Sequence, residues 1–162
     1  MVACSPAGPT ASASPGTSGA ISPKATPWPG DTVLAALAIA SADTQFEKVG
    51  TDMNAALDAQ DYQGLETVTG DVLTFLESVQ VKIPAVQAYP GTKALGDQLA
   101  AAYGQMIAGV KQIHAALIAG NGTGVTDGFK TFGAGSTAYV ALRPALADLA
   151  TEAIAQQRLI VR

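Results

Sequence analysis

The chain has 162 residues and a mass of 16.3 kDa, one domain's worth, with 48% hydrophobic residues, only 14% charged and 6% aromatic. A net charge of −4 and no basic cluster weigh against nucleic acid as a partner, because such binding rests on neutralising phosphates. A single Cys excludes internal disulfides and Cys-based zinc sites, and a single His leaves little from which to build a metal centre or a hydrolytic triad.

Positions 1–30 differ in composition from everything that follows. The chain opens Met1-Val2-Ala3-Cys4-Ser5, and positions 5–30 are dominated by Pro, Ser, Thr, Gly and Ala, with one Lys and no carboxylate. Such a tract buries too little apolar area to offset its ordering entropy, which predicts a disordered tether over 1–30 ahead of a helical domain over 31–162. A flexible tract of this length spans ~25–30 Å. Met1-Val2-Ala3-Cys4 resembles the end of a bacterial lipobox, with Met where Leu is usual. The resemblance implies that a signal sequence with a charged and an apolar region precedes these residues, and that Cys4 is acylated and becomes the mature N-terminus. It also implies an extracytoplasmic address in the bacterial cell envelope, lipid-anchored to a membrane, since two or three acyl chains hold stably where one binds marginally.

From Asp31 onward Pro becomes rare and a 3.6-residue period takes over. Asp31 is placed to cap a helix over Thr32 to about Gln60, with Phe46, Val49, Met53, Ala56 and Leu57 on one stripe. Its opening, Val33 to Ala40, is apolar on every side. That run is much shorter than the ~20 residues a bilayer requires. It calls for cover, either from the Pro84–Pro90 corner or from a second copy of the chain, because Val33, Leu34, Leu37 and Ile39 spread beyond one ~100° face.

Asp61 restarts the pattern, with Tyr62, Leu65, Val68, Val72, Leu76, Val79 and Ile83 sharing a face, and Pro84 and Pro90 bracket an irregular corner. The third helix has the cleanest spacing: Leu95, Leu99, Ala102, Met106, Val110, Ile113 and Leu117. Gly120-Asn121-Gly122-Thr123-Gly124 ends it. The fourth runs from about Val125 to Gln157, with Phe129, Phe132, Tyr139, Leu142, Leu146 and Leu149 facing one way and Pro144 placed to kink it. No stretch alternates with period two. Four helices joined by short connections predict an all-α, antiparallel up-down-up-down four-helix bundle.

The chemistry-bearing residues are few. The Gly120–Gly124 run lacks the Lys-Ser/Thr of a phosphate loop, and Gly133-Ala134-Gly135-Ser136 lacks the order of a nucleophile elbow. A di-iron bundle needs Glu-x-x-His twice, and His114 has Lys111 three positions before it, so that site cannot be built. Asp43 and Glu47 share a helix face at i, i+4 and read as solvated charge, as do Asp58 and Asp61 beside a turn. Met53 and His114 are the one side-chain pair able to clasp a haem, at one level of helices one and three; covalent haem is excluded for want of Cys-x-x-Cys-His. Nothing here arranges a nucleophile, so the residues give no support for an enzyme. The leading expectation is a tethered lipoprotein whose bundle binds or scaffolds other molecules, with no cofactor or metal. The alternative is a haem or small-ligand carrier using Met53 and His114 or an interhelical cavity.

Overall fold

In the computed structural model, which describes residues 27–160, every element is helical: α1 (Gly30–Ser41), α2 (Asp43–Asp58), α3 (Tyr62–Gln80), α4 (Ile83–Gln87), α5 (Lys93–Ile118) and α6 (Gly122–Ile160). Among the described residues there is no strand. The expected first helix is present as two pieces, α1 and α2. The Ser41 hydroxyl donates to the Ala38 carbonyl at 2.9 Å, the acceptor that the Ala42 N–H would otherwise take. That N–H turns instead to Ile39 at 3.2 Å, and one tighter turn separates the two pieces.

The helix ends are set by local chemistry. The Asp61 carboxylate accepts the Gly64 N–H at 2.8 Å and starts α3, and the Asn121 side-chain oxygen Oδ1 accepts the Gly124 N–H at 3.1 Å in the first turn of α6. Helices α2 and α5 close with the same motif. Asp61 N–H reaches back to Ala56 and Asn121 N–H to Ala116, with a left-handed residue between: Gln60 at φ 53° and Gly120 at φ 63°. The corner after α3 contains the short helix α4, and α6 continues through Pro144.

The apolar stripes meet in one core. Leu99, Ala102, Met106, Val110 and Ile113 of α5, Leu65, Val72 and Leu76 of α3, and Val33, Ala36 and Ile39 of α1 are all buried. Phe46, Tyr103 and Tyr139 fill the centre, with ring centroids 4.5 Å apart for Phe46–Tyr139 and 5.6 Å for Tyr103–Tyr139. Tyr62, expected on the core face of α3, is 61% exposed in its first turn. The apolar opening of the first helix finds its cover within the chain: α4 lies against α1, with Thr32 Oγ1 donating to the Ala85 carbonyl at 2.9 Å, and α6 lies along another side. Leu34 alone of Val33, Leu34, Leu37 and Ile39 is left exposed.

Helices α5 and α6 make the closest pairing. An added Cβ at Gly109 would stand 2.8 Å from the Gly128 carbonyl, one at Gly128 would stand 2.8 Å from the Ile113 nitrogen, and one at Gly135 would stand 2.7 Å from the Met106 nitrogen. Position numbers rise on one helix as they fall on the other, so the two run antiparallel with backbones almost touching. Trp28 falls within the 1–30 stretch expected to precede the domain. It is half-buried on the core, its backbone N–H donates to Gln156 Oε1 at 3.2 Å, and its ring centroid lies 5.7 Å from that of Tyr89. The packed domain therefore includes Trp28.

Candidate functional site

Cys4, the expected lipidation site, lies outside the described residues. Met53 is buried in α2 as part of the core. His114 is half-buried on α5 and turns toward α3, where its Nδ1 stands 3.2 Å from the Thr69 hydroxyl. The same hydroxyl lies 2.8 Å from the Glu66 carbonyl, to which it can donate. Thr69 itself is fully buried, and the imidazole thus supplies a second partner to a hydroxyl removed from water. His114 is committed to a neighbouring helix, and none of the hollows described below is lined by His114 or Met53.

The densest polar cluster is one that sequence spacing does not reveal. Asp43, the first residue of α2, accepts two hydrogen bonds on one oxygen: from the Tyr139 hydroxyl at 3.0 Å and from Arg143 Nε at 2.9 Å. A terminal nitrogen of Arg143 reaches Glu47 at 2.9 Å. The i, i+4 carboxylates expected to be merely solvated are therefore clamped by one guanidinium from α6, just past the Ala42 break. Tyr139 is fully buried, and burial, the neighbouring Tyr103 phenol and the Asp43 carboxylate all push its hydroxyl above the usual phenol range. Burial likewise pushes Tyr103 up to about 12, and its hydroxyl has no hydrogen-bond partner among the described residues. A hollow of about 180 Å³ beside the clamp is lined by Ala40, Asp43, Arg143 and Leu146. Two carboxylates share one guanidinium, so the cluster ties α2 to α6 and keeps a net negative charge. The clue in the sequence was the Asp43/Glu47 pair; its cation lies 100 positions from Asp43 and cannot be read from spacing.

A hollow of about 330 Å³ lies between α2 and α3, lined by Lys48, Asp52, Asp71 and Phe75 among others, and further hollows lie at the two ends of the bundle. At the end of the Gln60 and Gly120 turns, Tyr62, Leu117, Asn121 and Val125 line a hollow of about 350 Å³. At the opposite end, where Trp28 leads into α1, a hollow of about 240 Å³ is lined by Asp31, Leu34, Ala35, Lys82 and Ala85, and another of the same volume by Trp28, Leu95, Leu149 and Glu152 among others. Among the described residues no three His, Cys, Asp or Glu gather as metal ligands, and no helix is long and apolar enough to cross a membrane.

Compared with models of protein families, with curated proteins and with solved structures, the chain finds no match.

Proposed function

We propose that this protein is a non-enzymatic lipoprotein of the bacterial cell envelope: an up-down-up-down bundle, carried on a tether from acylated Cys4, that binds or scaffolds other molecules through its exterior. The observation that carries the reading is the order of parts. A lone Cys heads a Pro/Ser/Thr/Gly-rich stretch, and a packed helical domain follows from Trp28. The up-down course is supported by cross-helix pairs whose numbers run in opposition: Thr69 with His114 and Glu77 with Lys111, and Trp28 with Gln156 and Asp43 with Tyr139. The exterior is favoured because aromatic rings fill the bundle's centre and the polar cluster at Asp43 is taken up in tying α2 to α6.

The deciding experiment is fractionation of cells expressing the gene with its signal sequence. Wild-type protein is expected with the membranes and to carry acyl chains by mass spectrometry, and Cys4→Ser is expected in the soluble secreted fraction. Membrane retention of Cys4→Ser without acylation of the wild type would sink the lipoprotein reading.

A further inference from the structure

The glycine-rich turn between α5 and α6 carries the chain's single Asn-Gly step, Asn121-Gly122, and both residues are exposed. Three atoms there are set for one reaction. Asn121 Oδ1 accepts the Gly124 N–H at 3.1 Å, which draws electron density from the amide carbon Cγ. Nδ2, on the same carbon, holds no hydrogen bond among the described residues and is free to gain a proton and leave. The Gly122 N–H opens α6, where the first N–H groups have no carbonyl within the helix to meet, and it takes no other backbone acceptor. Gly122 has no Cβ to shield that nitrogen, and nothing stands within 4 Å of where one would be. The chain's second Asn offers the contrast. Asn54 is exposed too, but it lies inside α2 and precedes Ala55, whose N–H is engaged in the helical ladder.

We propose that Asn121 is a site of spontaneous deamidation, converting to aspartate and isoaspartate as the protein ages. The Gly122 nitrogen, relieved of its proton by hydroxide or buffer base, attacks Cγ. The N–Cγ bond forms, the Cγ–Nδ2 bond breaks, and Nδ2 takes up a proton and leaves as ammonia. Water then opens the five-membered imide. Cleavage of the new N–Cγ bond leaves aspartate, and cleavage of the original peptide bond leaves isoaspartate; nothing is oxidised or reduced. Only the first turn of α6 has to open for the nitrogen to reach Cγ, and a helix terminus opens at little cost. The two products differ in effect. Aspartate keeps an acceptor for the Gly124 N–H and sets negative charge at a helix N-terminus, where it is favourable. Isoaspartate adds a methylene to the backbone just after the left-handed Gly120, and so separates the N–H bonded to Ala116 at 2.8 Å from the helix that residue 121 caps. Either product adds a negative charge to the hollow that Asn121 lines with Tyr62 and Leu117. The reaction needs no partner and no membrane, so it stands apart from the lipoprotein reading.

The full-length protein is aged at physiological temperature in neutral and mildly alkaline buffers, then digested with trypsin and read by mass spectrometry against an unaged sample. Peptides 112–130 and 49–82 report Asn121 and Asn54 separately. Asn121 is expected to convert at least about tenfold faster than Asn54, because the latter needs the middle of a helix to open. Its rate is expected to rise with alkalinity, with isoaspartate as the larger product. Gly122→Ala introduces a methyl that meets no neighbour, and should fold by circular dichroism yet convert about tenfold more slowly. The isoaspartate-bearing fraction, separated by ion exchange, should melt below fresh protein, whereas Asn121→Asp should melt at or above it. Equal rates at Asn54 and Asn121 would overturn the proposal. So would an Asn121 that stays intact while the isolated peptide 112–130 converts, since the cap would then protect the site. An unchanged rate in Gly122→Ala would overturn it as well, because the Gly122 nitrogen would not be the attacking group.

Discussion

Tyr103 and Tyr139 place two phenols in a core otherwise built from aliphatic side chains, Ala, Phe and Met, and their hydroxyls fare differently. Tyr139 donates to Asp43, whereas Tyr103 is buried with no partner among the described residues. A buried polar group left unpaired costs roughly 1–3 kcal/mol. Tyr103→Phe keeps the ring against Tyr139 and removes that cost, so it is expected to leave stability unchanged or raise it by about 1 kcal/mol. Tyr139→Phe is expected to lower it by a similar amount, and denaturant melts of the two variants check both signs. The same phenols make the fold sensitive to alkali. An unperturbed phenol titrates near 10, and burial raises both, Tyr103 to about 12. The folded state then keeps protons that the unfolded chain releases. Stability is full below pH ~10 and falls as pH rises toward about 12, by up to ~1.4 kcal/mol per unit for each phenol. Melts across that range should show the fall, and Tyr103→Phe should make it shallower. An unchanged slope would show that the core phenols do not govern it.

Among elements, α5 and α6 carry glycines of two kinds on the same helices. Gly109, Gly128 and Gly135 sit where an added methyl would meet the facing backbone, while Gly104 and Gly133 have nothing within 4 Å of that position. Gly109→Ala or Gly135→Ala must push the helices apart and is expected to cost about 1–3 kcal/mol. Gly104→Ala and Gly133→Ala gain helix propensity against no clash and should stabilise by about 0.5–1 kcal/mol. Thermal melts of the four variants separate the classes. Both kinds look alike in the sequence, because the difference depends on which side of a helix faces a partner at what distance. The helices themselves were legible, since Leu99, Met106, Val110 and Ile113 repeat at the spacing of one buried face. The Ala42 break was not: Ala is a good helix former, and the cause is a back-bonded Ser41 hydroxyl, which Ser elsewhere in helices need not make. Met53, a plausible ligand by its residue type, lies on the core stripe that its spacing with Phe46 and Val49 already indicated. The Asp43 clamp escaped because pairing between helices follows tertiary register rather than local spacing.

At the scale of the whole molecule, the domain closes on itself through Trp28. Its N–H is bonded to Gln156 near the far end of the chain, and its ring rests on the corner beside Tyr89. A chain beginning at Pro27 is therefore expected to be more stable than one beginning at Asp31 by about 2 kcal/mol, the scale of a half-buried large aromatic together with one hydrogen bond. Equal urea midpoints would mean that Trp28 contributes nothing to the domain. The same closure fixes how the protein would answer a pull. Entry and exit of the domain lie side by side, because α6 returns to the level at which α1 begins. Force applied between the leading segment and a partner gripping the last turns of α6 would act across that short gap. It would peel α1 from α6 one contact at a time, starting at Trp28 and reaching the Asp43–Arg143 clamp only after α1 has come away. A grip on the opposite end, at the Gln60 or Gly120 turn, would instead load the helices along their length and strain many contacts at once. Where on its surface this bundle is held thus decides whether it unzips gradually or resists as a unit.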